Sequence, residues 1–249
     1  MKDKIKKFLA SAVSVFFWIL LWHITATIAN KKLLFKIPLP IDTLKELHMA
    51  IFEPIFWQAV SNSLMNIISG FTFAVILGLV FGMLSGNSKL FKIITSPVSR
   101  LIRSVPVAAF IILAWLWIPS TAIPSFISFL MVFPIVWLQI ETALLSVDNR
   151  LIEMASVMGM SHKGIILNIK LPCVLPALRN ACITGLGFAW KSGVAAEVIC
   201  NPTGCLGAIL SNAKSNLEYS KVFAIVLTIV ILSLLLENFI KFFWREKRI

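Results

Sequence analysis

EMASVMGMSHKGIILNIKLP, residues 153–172, is the one long polar-punctuated stretch between two apolar runs late in the chain. Its pattern is a helix, a stop and a second helix. Leu151, Met154, Ala155 and Met158 recur at i, i+3, i+4 and i+7, which puts them on one helical face. Asp148 stands at the N-cap position. Gly159 can end the helix in a left-handed conformation. Ser161 caps a second short helix with Ile165, Ile166 and Ile169 along its apolar edge, and Leu171 and Pro172 are expected to close it. The stretch predicts a helix-turn-helix knob presented at a membrane surface.

The rest of the chain supplies the membrane. Only 14% of the 249 residues are charged and 59% are apolar, whereas soluble domains carry about 25% charged residues. The net charge of +12 does not indicate nucleic acid, because the basic residues cluster at the ends of apolar runs. Six runs predict spans at about 8–29, 62–84, 97–118, 125–147, 173–199 and 221–241. The first is longer than the apolar core of a signal peptide, so it is expected to be a retained anchor rather than a cleaved leader. In the third, Arg100 and Arg103 are expected to snorkel and Pro106 to kink the helix. The segment before the second span carries Pro38 and Pro40, then a short amphipathic helix capped by Asp42 or Thr43 and lying along the outer surface. A similar stretch is expected around 206–213. The fold expected is all-α, a polytopic membrane protein of one domain, 1–249, with six transmembrane helices and a loop at 148–172 between helices 4 and 5.

Six spans put both termini on one side, and charge says which. The terminal segments, 85–104 and 146–180 hold sixteen Lys and Arg residues; the opposite segments, 30–57 and 200–221, hold six. The positive-inside bias places the termini and the 148–172 loop in the cytoplasm.

Two spans carry ladders of small residues at every fourth position: Gly70, Ala74, Gly78, Gly82 and Gly86 in the second, and Ala177, Ala181, Gly185, Ala189 and Gly193 in the fifth. Such ladders let helix backbones approach closely in lipid, and the two are expected to face protein and to meet each other. The fifth span also has a polar side, since Asn180, Thr184 and Lys191 fall within about 40° of one another on a helix. Lys191 is the most exceptional residue, a charge inside a span. Two readings stand: the polar side lines an aqueous path or contacts an anion, or Lys191 is a structural ion pair with Glu197, Glu141 or Glu237. Glu197 is counted with Asn180, Thr184 and Lys191 as a pathway candidate, with a structural or gating role favoured over that of a ligand.

Nothing in the chain looks catalytic. There is no Gly-Lys dipeptide to begin a phosphate-binding loop, the three histidines lie in separate segments, and neither HExxH nor GxSxG occurs. The four cysteines form no metal pattern; Cys200 and Cys205 flank a turn and could pair if it faces an oxidising side, though four free thiols are the reading favoured. An intramembrane enzyme and a stand-alone secondary carrier are the distant alternatives.

The 148–172 stretch resembles the signature loop of ABC importer permeases: Glu153, Met154 and Ala155, then Gly159, then Ile169, Leu171 and Pro172 at matching spacing, with Met154 where Ala is usual. From about residue 64 onward the chain looks like the nitrate, sulfonate, taurine and bicarbonate branch. The features carrying this are residues 103–106, Ser146-Val147-Asp148, WKSGVAAE at 190–197, and the turn with Gly204 and Gly207. The acidic residue of an FGIGE-like turn in relatives is replaced by Pro119, Ser120 and Thr121.

The resemblance implies a transport subunit rather than an enzyme, sitting in a bacterial cytoplasmic membrane. Glu153, Ala155, Gly159, Ile169, Leu171 and Pro172 would couple it to an ABC ATPase. That partner would hold the ATP and magnesium, and this chain no cofactor. A second copy of the chain, or a related permease, would complete the pathway. An extracytoplasmic solute-binding protein would deliver a small anion such as a sulfonate, nitrate or taurine. The branch also includes importers of thiamine-precursor pyrimidines and of riboflavin.

Overall fold

The computed structural model describes residues 2–32 and 37–243, and Arg245, Lys247 and Arg248 of the charge count lie outside them. All regular structure among the described residues is helical. The elements are α1 (Lys2–Lys32), α2 (Pro40–Ile51), α3 (Pro54–Asn87), α4 (Lys89–Ser104), α5 (Val107–Trp115), α6 (Ile123–Leu145), α7 (Asn149–Val157), α8 (His162–Ile165), α9 (Leu171–Cys200), α10 (Leu206–Ser215) and α11 (Tyr219–Phe243). A π-helical turn, Ile166–Lys170, joins α8 to α9. Among the described residues, five helices are long and apolar enough to cross a membrane, with a sixth crossing if the bent pair α4–α5 counts as one.

That bent pair corrects the expected third span, 97–118. The chain does not kink there; it breaks, with α4 and α5 meeting at 99°. Proline disfavours helical geometry in the residue before it, and Val105 is extended, at φ −90° and ψ 133°. Pro106 itself lacks the N–H that would continue the ladder. The nine residues of α5 reach only about 14 Å at 1.5 Å per residue, too little for a bilayer core of about 30 Å.

The cap of α2 also differs from expectation. Neither Asp42 nor Thr43 caps it; both lie in the first turn and donate their N–H groups to the Leu39 carbonyl at 3.1 Å. Pro40, whose φ suits a helix start, sets the beginning two residues before the first polar side chain, Asp42.

The core is organised around α6. Ile123, Ile127, Val132, Val136 and Ile140 on this helix are fully buried. The ladder of α3 is what brings the two helices together. A Cβ on Gly78 would stand 2.7 Å from Cβ of Val136, and one on Gly82 would stand 2.5 Å from Cβ of Ile140 and 2.8 Å from the Trp137 carbonyl oxygen. The ladder of α9 packs on the other side of the same helix: a Cβ on Gly185 would meet Val132 at 2.9 Å. The expectation that the two ladders meet is therefore corrected. They sandwich α6, and the ladder of α9 meets α3 through larger side chains: Phe71 lies 3.5 Å from the Cβ position of Gly185, and Ile67 lies 2.5 Å from that of Gly193, beside Ser128 of α6. A third helix with bulky β-branched residues fills the space that two facing ladders would leave empty. Phe129, Phe133 and Trp137 on α6 and Phe81 on α3 add an aromatic cluster with centroids 5.2–5.5 Å apart. The Trp137 Nε1–H donates to Ser85 Oγ at 2.8 Å, which satisfies its polar tip.

α1 stands apart from this core. Phe16, Phe17 and Trp18 are exposed, while Ala26 is buried and Trp22 stacks on Phe223 of α11 with centroids 5.7 Å apart. Its apolar outward surface suits lipid rather than water.

Candidate functional site

Three places on the molecule carry the residues singled out above. The first is the knob between α6 and α9. Asp148 accepts from the Arg150 N–H at 2.9 Å and so caps α7. α7 ends in a Schellman turn: the Met160 N–H reaches the Ala155 carbonyl at 3.0 Å and the Gly159 N–H the Ser156 carbonyl at 3.1 Å. The turn needs a left-handed residue, and Gly159 has φ +78°. Ser161 Oγ then caps α8 by accepting from the Gly164 N–H at 3.2 Å.

The expected stop at Leu171 and Pro172 is absent. The Leu171 N–H bonds to the Ile166 carbonyl across a π turn, and the helix runs on into α9. Widening the turn fits a proline into a helical run whose ladder it interrupts. Lys170 Nζ donates to Asn87 Oδ1 and ties the knob to the end of α3.

The knob buries little of its own apolar surface. Ala155 is buried, but Leu151, Met154, Val157 and Met158 are exposed, Val157 at 88% and Met158 at 77%. Glu153 is exposed beside them, Ile169 and Leu171 are partly covered, and Pro172 is exposed. Three exposed apolar side chains on a nine-residue helix, with Met158 at its C-cap, form a patch that suits a protein partner.

The second place is the open side of α9. Asn180, Thr184 and Lys191 are all exposed. Next to Asn180 and the half-buried Ala177 lies a recess of about 360 Å³ lined from α6 by Leu138, Gln139, Thr142, Ala143 and Ser146. Gln139 and Thr142 were missed in the sequence. Their signal is the spacing of Gln139, Thr142 and Ser146 at i, i+3 and i+7, one polar stripe on an otherwise apolar span.

Lys191 has no ion-pair partner among the described residues. Glu141 is held by Lys92 at 2.8 Å and Glu237 by Lys241 at 3.5 Å. Glu197, the third candidate, is 0% exposed and lies elsewhere. It therefore does not share the open side of α9 and is corrected from a lining residue to a buried one. The reason is its register. Glu197 continues the ladder of small residues, which points into the protein.

The third place is where Glu197 sits. Glu197 Oε2 accepts from Ser63 Oγ at 2.8 Å and from the Gly207 N–H at 3.0 Å, while Ser63 Oγ accepts from the Leu206 N–H at 2.9 Å. One carboxylate thus caps the first turn of α10 from another helix and pins α3 to it. Gly207 is required here, because a Cβ on it would collide with Cβ of Glu197. Asn201 at φ 49° and Gly204 at φ +76° make the turn that brings α10 back onto α9. Burial, and then the neighbouring Glu197 carboxylate, push the Cys205 thiol up to about 11. All four cysteines are free.

Residues 74–249 match the family model for the binding-protein-dependent transport system inner membrane component. The chain belongs to that family. A nitrate import permease protein of Synechocystis sp. is 25% identical over 251 aligned residues, covering 95% of this chain and 88% of its own. The taurine transport system permease protein of Escherichia coli is 29% identical over 223 residues, covering 87% of this chain and 80% of its own. Among solved structures, the inward-facing MetNI methionine ABC transporter superposes with a TM-score of 0.62 at 22% identity, covering 76% of this chain and 94% of that one. A bacterial ABC transporter that imports alginate superposes with a TM-score of 0.61 at 16% identity over the full chain; at these identities the structures show the fold alone. The permease is thus an ABC importer component of the nitrate, taurine and sulfonate type. Membership of this family sets aside the intramembrane enzyme and the stand-alone carrier.

Proposed function

We propose that the permease forms, with a second copy of itself, the route for a small anion such as a sulfonate, nitrate or taurine. A solute-binding protein delivers the anion outside, and a pair of ABC ATPase subunits drives the cycle from the cytoplasm. The termini and the knob are cytoplasmic, as the sixteen-to-six charge bias supports. The knob, with Glu153, Ala155, Gly159, Ile169, Leu171 and Pro172, is the element that docks on the ATPase. What carries this reading is its exposed patch of Leu151, Met154, Val157 and Met158 on a helix capped at both ends. A rigid short helix with an unpartnered apolar face transmits a push from one subunit to the next.

Gly159 gives a clean test of coupling. A Cβ there would meet nothing within 4 Å, so any effect of a substitution comes from the left-handed backbone alone. Gly159→Val is expected to cost about 1–3 kcal/mol locally and to lose transport and co-purification of the ATPase together, while the spans still insert. Gly159→Asn, which tolerates this conformation, should keep both. Wild-type ATPase yield and transport from Gly159→Val would remove the coupling role.

The route itself is assigned to the open side of α9. A solute crossing between two subunits needs polar groups facing away from each subunit's core, and Asn180, Thr184 and Lys191 with Gln139 and Thr142 provide them. Lys191 supplies the positive charge an anion needs. Lys191→Met keeps a similar stem and removes the charge. Because no described carboxylate bonds Lys191 in the structure, and Glu237 keeps Lys241, this variant should fold at wild-type yield and lose most transport. A drop in folded protein matching the drop in transport would point to structure instead.

A further inference from the structure

Lys191 faces the route without a partner, yet a charge inside a membrane protein is costly to leave unpaired at any stage of a cycle. The structure narrows the choice of partner to one. Glu197 is sealed with Ser63 and Gly207, and Glu141 is bound closely by Lys92. Glu237 of α11 differs from both. Its bond to Lys241 is long, at 3.5 Å, and the carboxylate keeps a third of its side chain exposed. Its Oε1 leans on α9, 3.4 Å from where a Cβ of Gly187 would stand. Gly187 lies one helical turn before Lys191, and positions four apart on a helix stand about 5–6 Å apart at Cβ. A lysine on a flexible four-carbon stem spans the remaining distance by a change of rotamer.

We propose that Glu237 is the exchangeable counter-ion of Lys191. Glu237 rests on Lys241 in the structure; at the stage of the cycle when the route closes, it leaves Lys241 for Lys191 and draws the polar side of α9 onto α11. An anion reaching Lys191 displaces the carboxylate, which returns to Lys241, and the pair re-forms once the anion has left. Glu237 thereby selects for solutes able to compete with a carboxylate for one ammonium group, which favours anions over neutral molecules. The proposal rests on the reading of the α9 face as the wall of the route.

The test uses the assembled transporter in proteoliposomes. Lys191→Glu sets two carboxylates against each other and should cut transport by roughly tenfold or more, the effect of about 1.4 kcal/mol on a barrier. Adding Glu237→Lys should restore the pair with reversed polarity and return the yield of folded complex to that of the wild type. A double variant as poorly folded as the single one overturns the proposal. If Lys191→Glu fails to accumulate, a second measurement decides. With the exposed Cys173 replaced by Ser, Lys191→Cys and Glu237→Cys together should be joined by a short thiol cross-linker in the resting complex, and less so with the anion present. No joining in any state overturns the pair. Labelling of Lys191→Cys alone by a water-soluble thiol reagent tests the underlying reading separately. If it never reacts while the charge exchange still restores folding, the route assignment falls, and the pair remains as a structural contact between α9 and α11.

Discussion

Gly70→Leu is expected to leave almost no folded subunit after detergent extraction. A Cβ at this position lands on the backbone carbonyl oxygen of Ser125 in α6, with the Phe129 N–H at 3.1 Å. Backbone atoms cannot rotate aside as a side-chain tip can, so α3 and α6 must separate along their length. The cost is expected at the top of the overpacking range, about 3 kcal/mol, a large share of the stability of a domain. The other glycines grade the effect by what they touch. Gly86→Leu meets only the Leu144 side chain and should cost less. Gly187→Ala meets nothing closer than Glu237 Oε1 at 3.4 Å and should fold normally. Thermal unfolding of the purified subunits, followed by size-exclusion recovery, gives the order. Equal recovery of Gly70→Leu and Gly187→Ala would show that the α3–α6 contact is not set by this ladder.

Glu197→Ala is the second large effect. It removes the acceptor of Ser63 Oγ and of the Gly207 N–H in a site with no solvent. A buried donor left unsatisfied costs about 1–3 kcal/mol, and here two are involved, so a loss of about 3 kcal/mol is expected. Glu197→Gln keeps a carbonyl oxygen for both donors and should retain most of the stability. The turn at 201–205 reports on the site directly. In Glu197→Ala its link to α3 weakens, and limited proteolysis should cut there well before it cuts the wild type. Equal losses from Ala and Gln would mean that charge, not hydrogen bonding, holds the α10 turn.

The all-helical membrane character and the local shape of the knob were legible in the sequence, because each rests on local physics. Long apolar runs must be helices in lipid, since a backbone without water satisfies itself only that way. The caps at Asp148 and Ser161 and the left-handed turn at Gly159 involve residues two to five apart, so their pattern alone located them. The ladders announced close helix packing for the same reason.

Partners across the fold were not legible. Periodicity shows that a face of small residues packs tightly, but not against what. Only the tertiary structure puts α6 between the two ladders, where its β-branched residues fill the space. The break at Pro106 was marked by a proline, but a kink and a 99° bend share that sequence, and the packing of α5 against α6 and α9 chooses between them. Glu197 and Lys191 are six residues apart on one helix and both charged, and composition treats them alike. Their registers separate them: one carboxylate turns into the protein and caps α10, and one ammonium turns outward. The sequence by itself determined that the long apolar runs form helices, which stretch forms the knob and how it is capped, because helix formation and capping are settled over a few residues. Which side chains meet across segments was decided by tertiary packing, because close approach depends on the shape of a third helix that no local pattern encodes.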